Sequence, residues 1–142
     1  MTISRILEAR TFDVVTCDAD LTVSQAIKLL AEHRIGALPV MEDGSVVGIF
    51  SERDAIYRLR EFGTNALALN VRDAMTAPAV TVDSTTEALE ALSLMTKRRI
   101  RHLPVIEQGR MIGFVSIGDL VKYRIEKIQS EAEAMRDYIQ TA

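Results

Sequence analysis

Residues 36–54 read GALPVMEDGSVVGIFSERD, and residues 101–119 read RHLPVIEQGRMIGFVSIGD. A shift of 65 positions lays Leu38-Pro39-Val40 on Leu103-Pro104-Val105, Gly44 on Gly109, Gly48 on Gly113, Ser51 on Ser116 and Asp54 on Asp119. Working outward, the same shift pairs Arg34-Ile35 with Arg99-Ile100 and Val15-Thr16 with Val80-Thr81. About 15 of roughly 43 aligned positions are identical without a gap, too many for two unrelated globular segments. The chain therefore reads as two copies of one unit, residues 11–62 and 76–127, joined by a linker over 63–75 that opens at the helix-stopping Gly63.

Each copy switches periodicity in the same order. Val14-Val15-Thr16-Cys17 is short and β-branched, a strand. Thr22-x-x-Gln25 has the form of a capping box, with Val23, Ala26, Ile27 and Leu30 following at helical spacing. Strands are expected over Ala37 to Met41 and Val46 to Phe50, with Asp43-Gly44 as the hairpin turn between them. Ser51-x-x-Asp54 opens a helix to about Phe62. The second copy repeats this with Ser84-x-x-Glu87 as the cap, a strand around Leu103 to Ile106, a turn at Gln108-Gly109, a strand over Met111 to Val115, and Ser116-x-x-Asp119. The expected fold is α+β: two β-α-β-β-α repeats, each too small to bury a core alone, packed sheet to sheet about a pseudo-twofold axis.

Composition narrows the function. The 142 residues carry 17 Lys+Arg against 20 Asp+Glu, a net charge of −3, with 48% hydrophobic residues: a globular chain, not a disordered one. No apolar run approaches the roughly 18 residues of a membrane span. Met1-Thr2-Ile3-Ser4-Arg5 has no apolar signal-peptide core, and the single Cys17 excludes an internal disulfide, so a cytoplasmic protein is expected. Cys17 aligns with Val82 and reads as a small buried hydrophobe. With His33 and His102 it has no zinc spacing, so no metal site is expected. Neither a G-x-x-x-x-G-K-[ST] loop nor a G-x-G-x-x-G turn is present, and no catalytic residue is assigned. The basic run Lys97 to His102 lacks interleaved aromatics, which argues against nucleic-acid stacking.

The repeated Leu-Pro-Val strand, the Asp43-Gly44 turn, Gly48-Ile49-Phe50-Ser51-x-x-Asp54, its copy Gly113-Phe114-Val115-Ser116-x-x-Asp119, and Asp73-Ala74-Met75-Thr76 together resemble the tandem cystathionine-β-synthase (CBS) domain family, over nearly the whole chain. The resemblance is to the stand-alone bacterial type. It implies a paired disc, often called a Bateman module, that binds AMP, ADP, ATP, NAD(H) or S-adenosylmethionine in clefts between the copies, without catalysis of its own. It also implies roles: the Ser touches phosphate and the Asp accepts from the ribose hydroxyls, as suits an acceptor-only carboxylate. The same residues have a purely local reading as N-caps, and the two are compatible because a helix N-terminus presents free N–H groups to an anion.

Two clefts follow. One is expected to gather Asp119, Ser116 and Phe114, with Arg101 and His102 on the phosphate and Val15 and Ile35 against the base. Arg101-His102 stands where the first copy has Gly36-Ala37, and a guanidinium fork suits phosphate, so this cleft is expected to be the stronger phosphate site. The other is expected to gather Asp54, Ser51 and Arg53, with Ile49, Val80 and Ile100 around the base, Thr76 at the edge and space beside Ala37 for a longer ligand such as NAD(H). AMP is the first-choice ligand. The alternative is a ligand-free dimeric interaction module.

From about Asp119 to Gln140, apolar residues Val121, Ile125, Ile128, Ala132, Met135 and Ile139 recur at alternating spacings of 4 and 3, an a/d seam. Such a seam packs on its own domain or on a second subunit. A helix this long overruns a unit of about 50 residues, so the extension over 128–142 is expected to form a twofold homodimer and to present an output surface to an unknown regulated protein. Truncation after Arg124 should weaken or abolish the dimer in analytical ultracentrifugation; an equally tight dimer would remove the seam from the interface.

Overall fold

The computed structural model describes residues 1–9 and 14–141; the expected start of the first copy at residue 11 lies outside the described residues. The elements follow in the order α1 (Ile3–Glu8), β1 (Cys17–Asp18), α2 (Val23–His33), β2 (Ala37–Glu42), β3 (Ser45–Ser51), α3 (Glu52–Phe62), a 3-10 segment (Gly63–Ala68), α4 (Val71–Ala74), α5 (Ala88–Arg98), β4 (His102–Glu107), β5 (Arg110–Ser116) and α6 (Ile117–Thr141).

The two hairpins are made by their turns. Asp43 and Gly44 have φ of 51° and 80°, and Gln108 and Gly109 have φ of 50° and 76°. Positive φ at both central positions gives the turn whose twist matches that of antiparallel strands. Both hairpins then run in the same register, Val40 opposite Gly48 and Val105 opposite Gly113, with a register shift at the following residue.

β1 pairs with β2 in parallel through Cys17↔Val40 and Asp18↔Met41, giving the order β1-β2-β3. This strand is shorter than the expected Val14 to Cys17. Residues before Cys17 fall opposite Pro39, which has no N–H to continue the ladder. In the second copy Pro104 stands at the same place, and only the isolated parallel bridge Val82↔Val105 forms beside the two-stranded sheet β4-β5.

Thr22 caps α2 as expected, accepting from the Gln25 N–H while Gln25 accepts from the Thr22 N–H. The cap expected at Ser84-x-x-Glu87 does not form. α5 begins at Ala88 with Glu87 as N-cap and no side-chain cap bond. Thr85 and Thr86 turn back on Asp83 instead, which holds the Asp83 carboxyl below its usual range. The backbone of this stretch is taken by the N-terminus: Ser84 and Thr86 carbonyls accept from the N–H groups of Ser4 and Ile3, and the terminal amine reaches Glu87 at 2.8 Å.

That contact reveals an exchange that sequence spacing did not anticipate. α1 precedes the first copy but docks on the second, while α4 precedes the second copy but docks on the first. The hydrogen bonds correspond: Ala88 N–H to Met1 carbonyl and Ile3 N–H to Thr86 carbonyl on one side, Val23 N–H to Leu69 carbonyl and Val71 N–H to Leu21 carbonyl on the other. Ile3 and Val71, both fully buried, fill equivalent places in the two cores. The first core is built on Val23, Leu30, Leu38, Val40 and Phe50, the second on Met95, Leu103, Val105, Val115 and Leu120. Cys17 is buried in the first core, and burial pushes its thiol up to about 11, so it stays protonated.

Each docked helix lies on a glycine. A Cβ on Gly113 would meet the Leu7 side chain at 2.5 Å, and one on Gly48 would meet Met75 Sδ at 2.6 Å and the Thr76 carbonyl at 2.8 Å. Leu7 is a flexible side chain that can shift; the Thr76 carbonyl is backbone hydrogen-bonded to β3. Gly48→Ala should therefore destabilise by about 1–3 kcal/mol and Gly113→Ala by less, whereas Ile3→Ala should cost about 2–5 kcal/mol although it lies ahead of the first copy. Urea midpoints of the three variants test this order.

Candidate ligand cleft

Ser51 ends β3 and caps α3, so the strand delivers the helix N-terminus to the edge of the first sheet. The Ser51 N–H donates to Asp54 Oδ2 at 2.8 Å, the Ser51 hydroxyl donates to the same oxygen at 3.0 Å, and the Asp54 N–H donates to Ser51 Oγ at 3.3 Å. Thr76 arrives from the segment after α4, held by paired backbone bonds with Ile49, and its hydroxyl donates to Asp54 Oδ1 at 2.8 Å. Asp54 is only 8% exposed, yet its carboxylate is served by three donors. Two of these are rotatable hydroxyls, so a diol can replace or share them without leaving the carboxylate unpaired.

These groups open into a cleft of about 710 Å³. Its walls come from both copies: α3 and β3 from the first, and the end of α5 with the start of β4 from the second. All eight residues expected in the cleft of Asp54 line it: Asp54, Ser51, Arg53, Ile49, Val80, Ile100, Thr76 and Ala37. Its apolar lining also includes Ile56, Pro78 and Ala79. Five arginines, Arg53, Arg58, Arg98, Arg99 and Arg101, line it against two carboxylates, Glu52 and Asp54, in a chain whose net charge is −3. Arg53 spans the gap, donating from Nη1 to the Arg99 carbonyl at 3.3 Å. Arg99 exposes that carbonyl because it ends α5 in the left-handed conformation, with φ of 55°.

Arg101 and His102, assigned from sequence to the cleft of Asp119, also line the cleft of Asp54. The reason is the hairpin register. His102 lies opposite Ser116, the Arg101 carbonyl accepts from the Ile117 N–H, and β5 packs on β3, so the start of β4 faces both helix N-termini. His102 stacks on Phe114 with ring centroids 5.3 Å apart and 15° between planes. A Cβ on Gly36 would lie 3.8 Å from His102 and 3.7 Å from Glu52 Oε1. Ser116 and Asp119 repeat the reciprocal cap, with Ser116 N–H to Asp119 Oδ2 at 2.8 Å and Asp119 N–H to Ser116 Oγ at 3.1 Å. Val15 and Ile35 lie partly buried against the first core.

Sequence reasoning missed Arg58, Arg98 and Arg99 as cleft residues. For Arg58 a signal existed: it stands four residues after Asp54, one helical turn along the same face. A second hollow of about 580 Å³ over Val82, Glu90, Leu94 and Ile106 is more open and carries Lys97 against Asp83 and Glu90, without a comparable excess of charge. Among the described residues no three His, Cys, Asp or Glu side chains form a metal-binding group, and no helix is long and apolar enough to cross a membrane.

Two exchanged copies of one α+β unit with a polar-floored cleft between them define a paired-repeat ligand module. A family model for the CBS domain matches twice, over residues 4–61 and 71–126, and the chain belongs to the CBS-domain family as a CBS pair. It is 39% identical over 129 residues to the mitochondrial CBS domain-containing protein CBSX3 of Arabidopsis thaliana, covering 87% of this chain and 63% of that protein's length. Its fold matches a CBS-domain containing protein from Agrobacterium tumefaciens (TM-score 0.83, 38% identity, 87% of this chain and 99% of that one). It also matches CBSX2 in complex with AMP (TM-score 0.73, 25% identity, 85% of this chain and 96% of that one).

Burial holds the His102 imidazole below its ordinary value, and Arg101 adds to this; Asp119 and Glu52 pull the other way without prevailing. A His held neutral in the folded state contributes stability that is full above about 6.5 and declines as pH falls below it toward the folded pKa. His102→Phe keeps an aromatic partner for Phe114 and removes the titration. Urea unfolding at pH 7.5 and 5.5 should show a smaller acid loss in the variant than in the wild type.

Proposed function

We infer that the chain is a non-enzymatic regulatory module whose cleft binds an adenine nucleotide. The observation that carries this is the pairing of Asp54, buried among three donors, with a five-arginine wall at a helix N-terminus. In this reading Asp54 accepts from the ribose diol, and Ser51 with the start of α3 and Arg53 meets phosphate. Ile49, Val80 and Ile100 pack on the base. AMP is supported by its presence in CBSX2; ADP, ATP and NAD(H) share the same recognition chemistry. The second nucleotide site remains assigned to Asp119, Ser116, Phe114, Val15 and Ile35, with Arg101 and His102 between the two.

Because the cleft is walled by both copies, a bound nucleotide stabilises one relative arrangement of them, and that differential affinity is the signal. α6 carries it outward. Leu120 roots the helix in the second core, while residues 128–141 are all exposed, including Ile128 at 49%, Met135 at 60% and Ile139 at 66%. A helical stretch of this length is marginal in water by itself, and its a/d seam suits a second copy of the chain. The homodimer would display a surface to a regulated protein, in the cytoplasm.

Thermal unfolding with AMP, ADP, ATP, NAD, NADH and S-adenosylmethionine tests the reading. A ligand at about 100 times its Kd should stabilise by roughly 2.7 kcal/mol, a shift of several degrees, and Asp54→Asn should lose most of it. A flat panel would overturn nucleotide binding in favour of the ligand-free interaction dimer.

A further inference from the structure

The exposed part of α6 carries its charges in a pattern of its own. In the seam of Val121, Ile125, Ile128, Ala132, Met135 and Ile139, residues 125, 132 and 139 take the a positions of a heptad and residues 121, 128 and 135 the d positions. The flanking e positions are then Lys122, Gln129 and Arg136, and the g positions Arg124, Glu131 and Tyr138. Glu131 and Arg136 are both exposed, and neither has an ion-pair partner among the described residues. They stand five residues apart, too far round one helix to meet each other, since only residues three or four apart are neighbours.

A second α6 laid parallel and in register brings the two together. Each g residue then faces the e residue five positions on in the other helix, so Glu131 meets the partner's Arg136, and the twofold axis makes that pair twice. Arg124 faces the partner's Gln129, and no like charges meet. All six seam residues are covered, with Ile125 and Ile139 at a positions, where β-branched residues favour two strands. Antiparallel packing does worse. The register that covers the whole seam sets Ile128 against the partner's Ala132; it puts Lys122 beside the partner's Arg136 twice and Glu131 beside the partner's Glu131. Sliding one heptad toward the cores brings Arg124 to the partner's Glu131, but it leaves Met135 and Ile139 without a facing seam residue and runs the helix end into the partner's β5. Sliding one heptad the other way strips Val121 and Ile125 and forms no ion pair.

We propose that the partner of α6 is a second copy of this chain in a parallel, in-register two-helix coil, its direction fixed by intersubunit pairs between Glu131 and Arg136. This rests on the dimer reading above and gives it a geometry. Residues 128–141, exposed throughout, extend the helix by about 21 Å, so the coil stands clear of both bodies. Leu120 roots each helix in a second core, so both bodies lie at the same end of the coil. The two Asp54 clefts are then related by the coil axis, and a movement of one second copy bears on the other through the layers of Val121 and Ile125.

Sedimentation equilibrium of the full chain at low salt tests this. Glu131→Lys and Arg136→Glu each set like charges against one another twice and should weaken the dimer about tenfold, while the double variant restores opposite charges and should return within about threefold of the wild type. Direction is read by cysteines under mild oxidation. Residue 135 faces its own copy in the parallel coil, so Met135→Cys should form an intersubunit disulfide. Residue 131 faces its own copy only in the antiparallel one, so Glu131→Cys should not. The wild type, with Cys17 buried, is the blank, and circular dichroism checks that each variant keeps its helix content. A disulfide in Glu131→Cys but not in Met135→Cys would overturn the parallel arrangement and leave the seam dimer standing. A double variant as weak as the single ones would overturn the charge pairing. A dimer indifferent to every one of these changes would overturn the coil and put the interface elsewhere, and a chain that stays monomeric at all concentrations would overturn this proposal and the dimer reading together.

Discussion

The close seat of Met75 and Thr76 on Gly48 is the contact on which the cleft depends. Only a glycine at that point of β3 lets the chain after α4 approach the strand, and the approach is what allows Thr76 and Ile49 to exchange backbone hydrogen bonds. Those bonds deliver the Thr76 hydroxyl to Asp54. Fold and site are thus joined at one rung of hydrogen bonds. The same rung locks the linker between the copies to the first of them, so the second copy begins from an anchored point. Gly113 under Leu7 is the counterpart at the other end of the pseudo-twofold axis.

The exchange of α1 and α4 explains why two units of about 50 residues make one stable body. Each core is completed by residues that precede the other copy: Ile3 and Ile6 in the second, Val71 and Ala74 in the first. Neither copy is complete without that segment, so the halves are interlocked rather than merely apposed. A cleft whose walls come from both halves can therefore couple a ligand to their relative arrangement without losing either fold. The local concentration of arginine in an acidic chain gives that cleft its chemical character, because the remaining negative charge lies elsewhere on the surface and is screened beyond about 8–10 Å.

Much of the fold was legible because its signals are local. The Asp43-Gly44 and Gln108-Gly109 turns, the Thr22 and Ser51 caps, and the apolar periods of the helices depend on residues within four positions of one another. Ser84 fails as a cap because its hydroxyl is turned to Glu107 and its carbonyl to the Ser4 N–H, partners distant in sequence. β1 fell short of its β-branched run because Pro39, on a different strand, cannot donate. Arg101 and His102, expected beside Asp119, also line the cleft of Asp54, since a residue between two pseudo-symmetric sites is placed by hairpin register and side-chain direction, not by neighbours in sequence. Arg58 carried a readable helical spacing from Asp54, but that it shares a cavity with Arg98 and Arg99 depends on how the two copies pack.

By itself the sequence determined the duplication, the order of the helices and hairpin within each copy, the Ser-x-x-Asp caps and the amphipathic terminal helix, because each follows from backbone preference or hydrophobic period over a few residues. Tertiary structure alone decided which leading helix completes which core, which basic residues share a cavity with Asp54, and how far the parallel strand extends. These depend on the packing of distant segments against one another, where the available volume and the competition for backbone hydrogen bonds, rather than local preference, select among arrangements that the sequence leaves equally open.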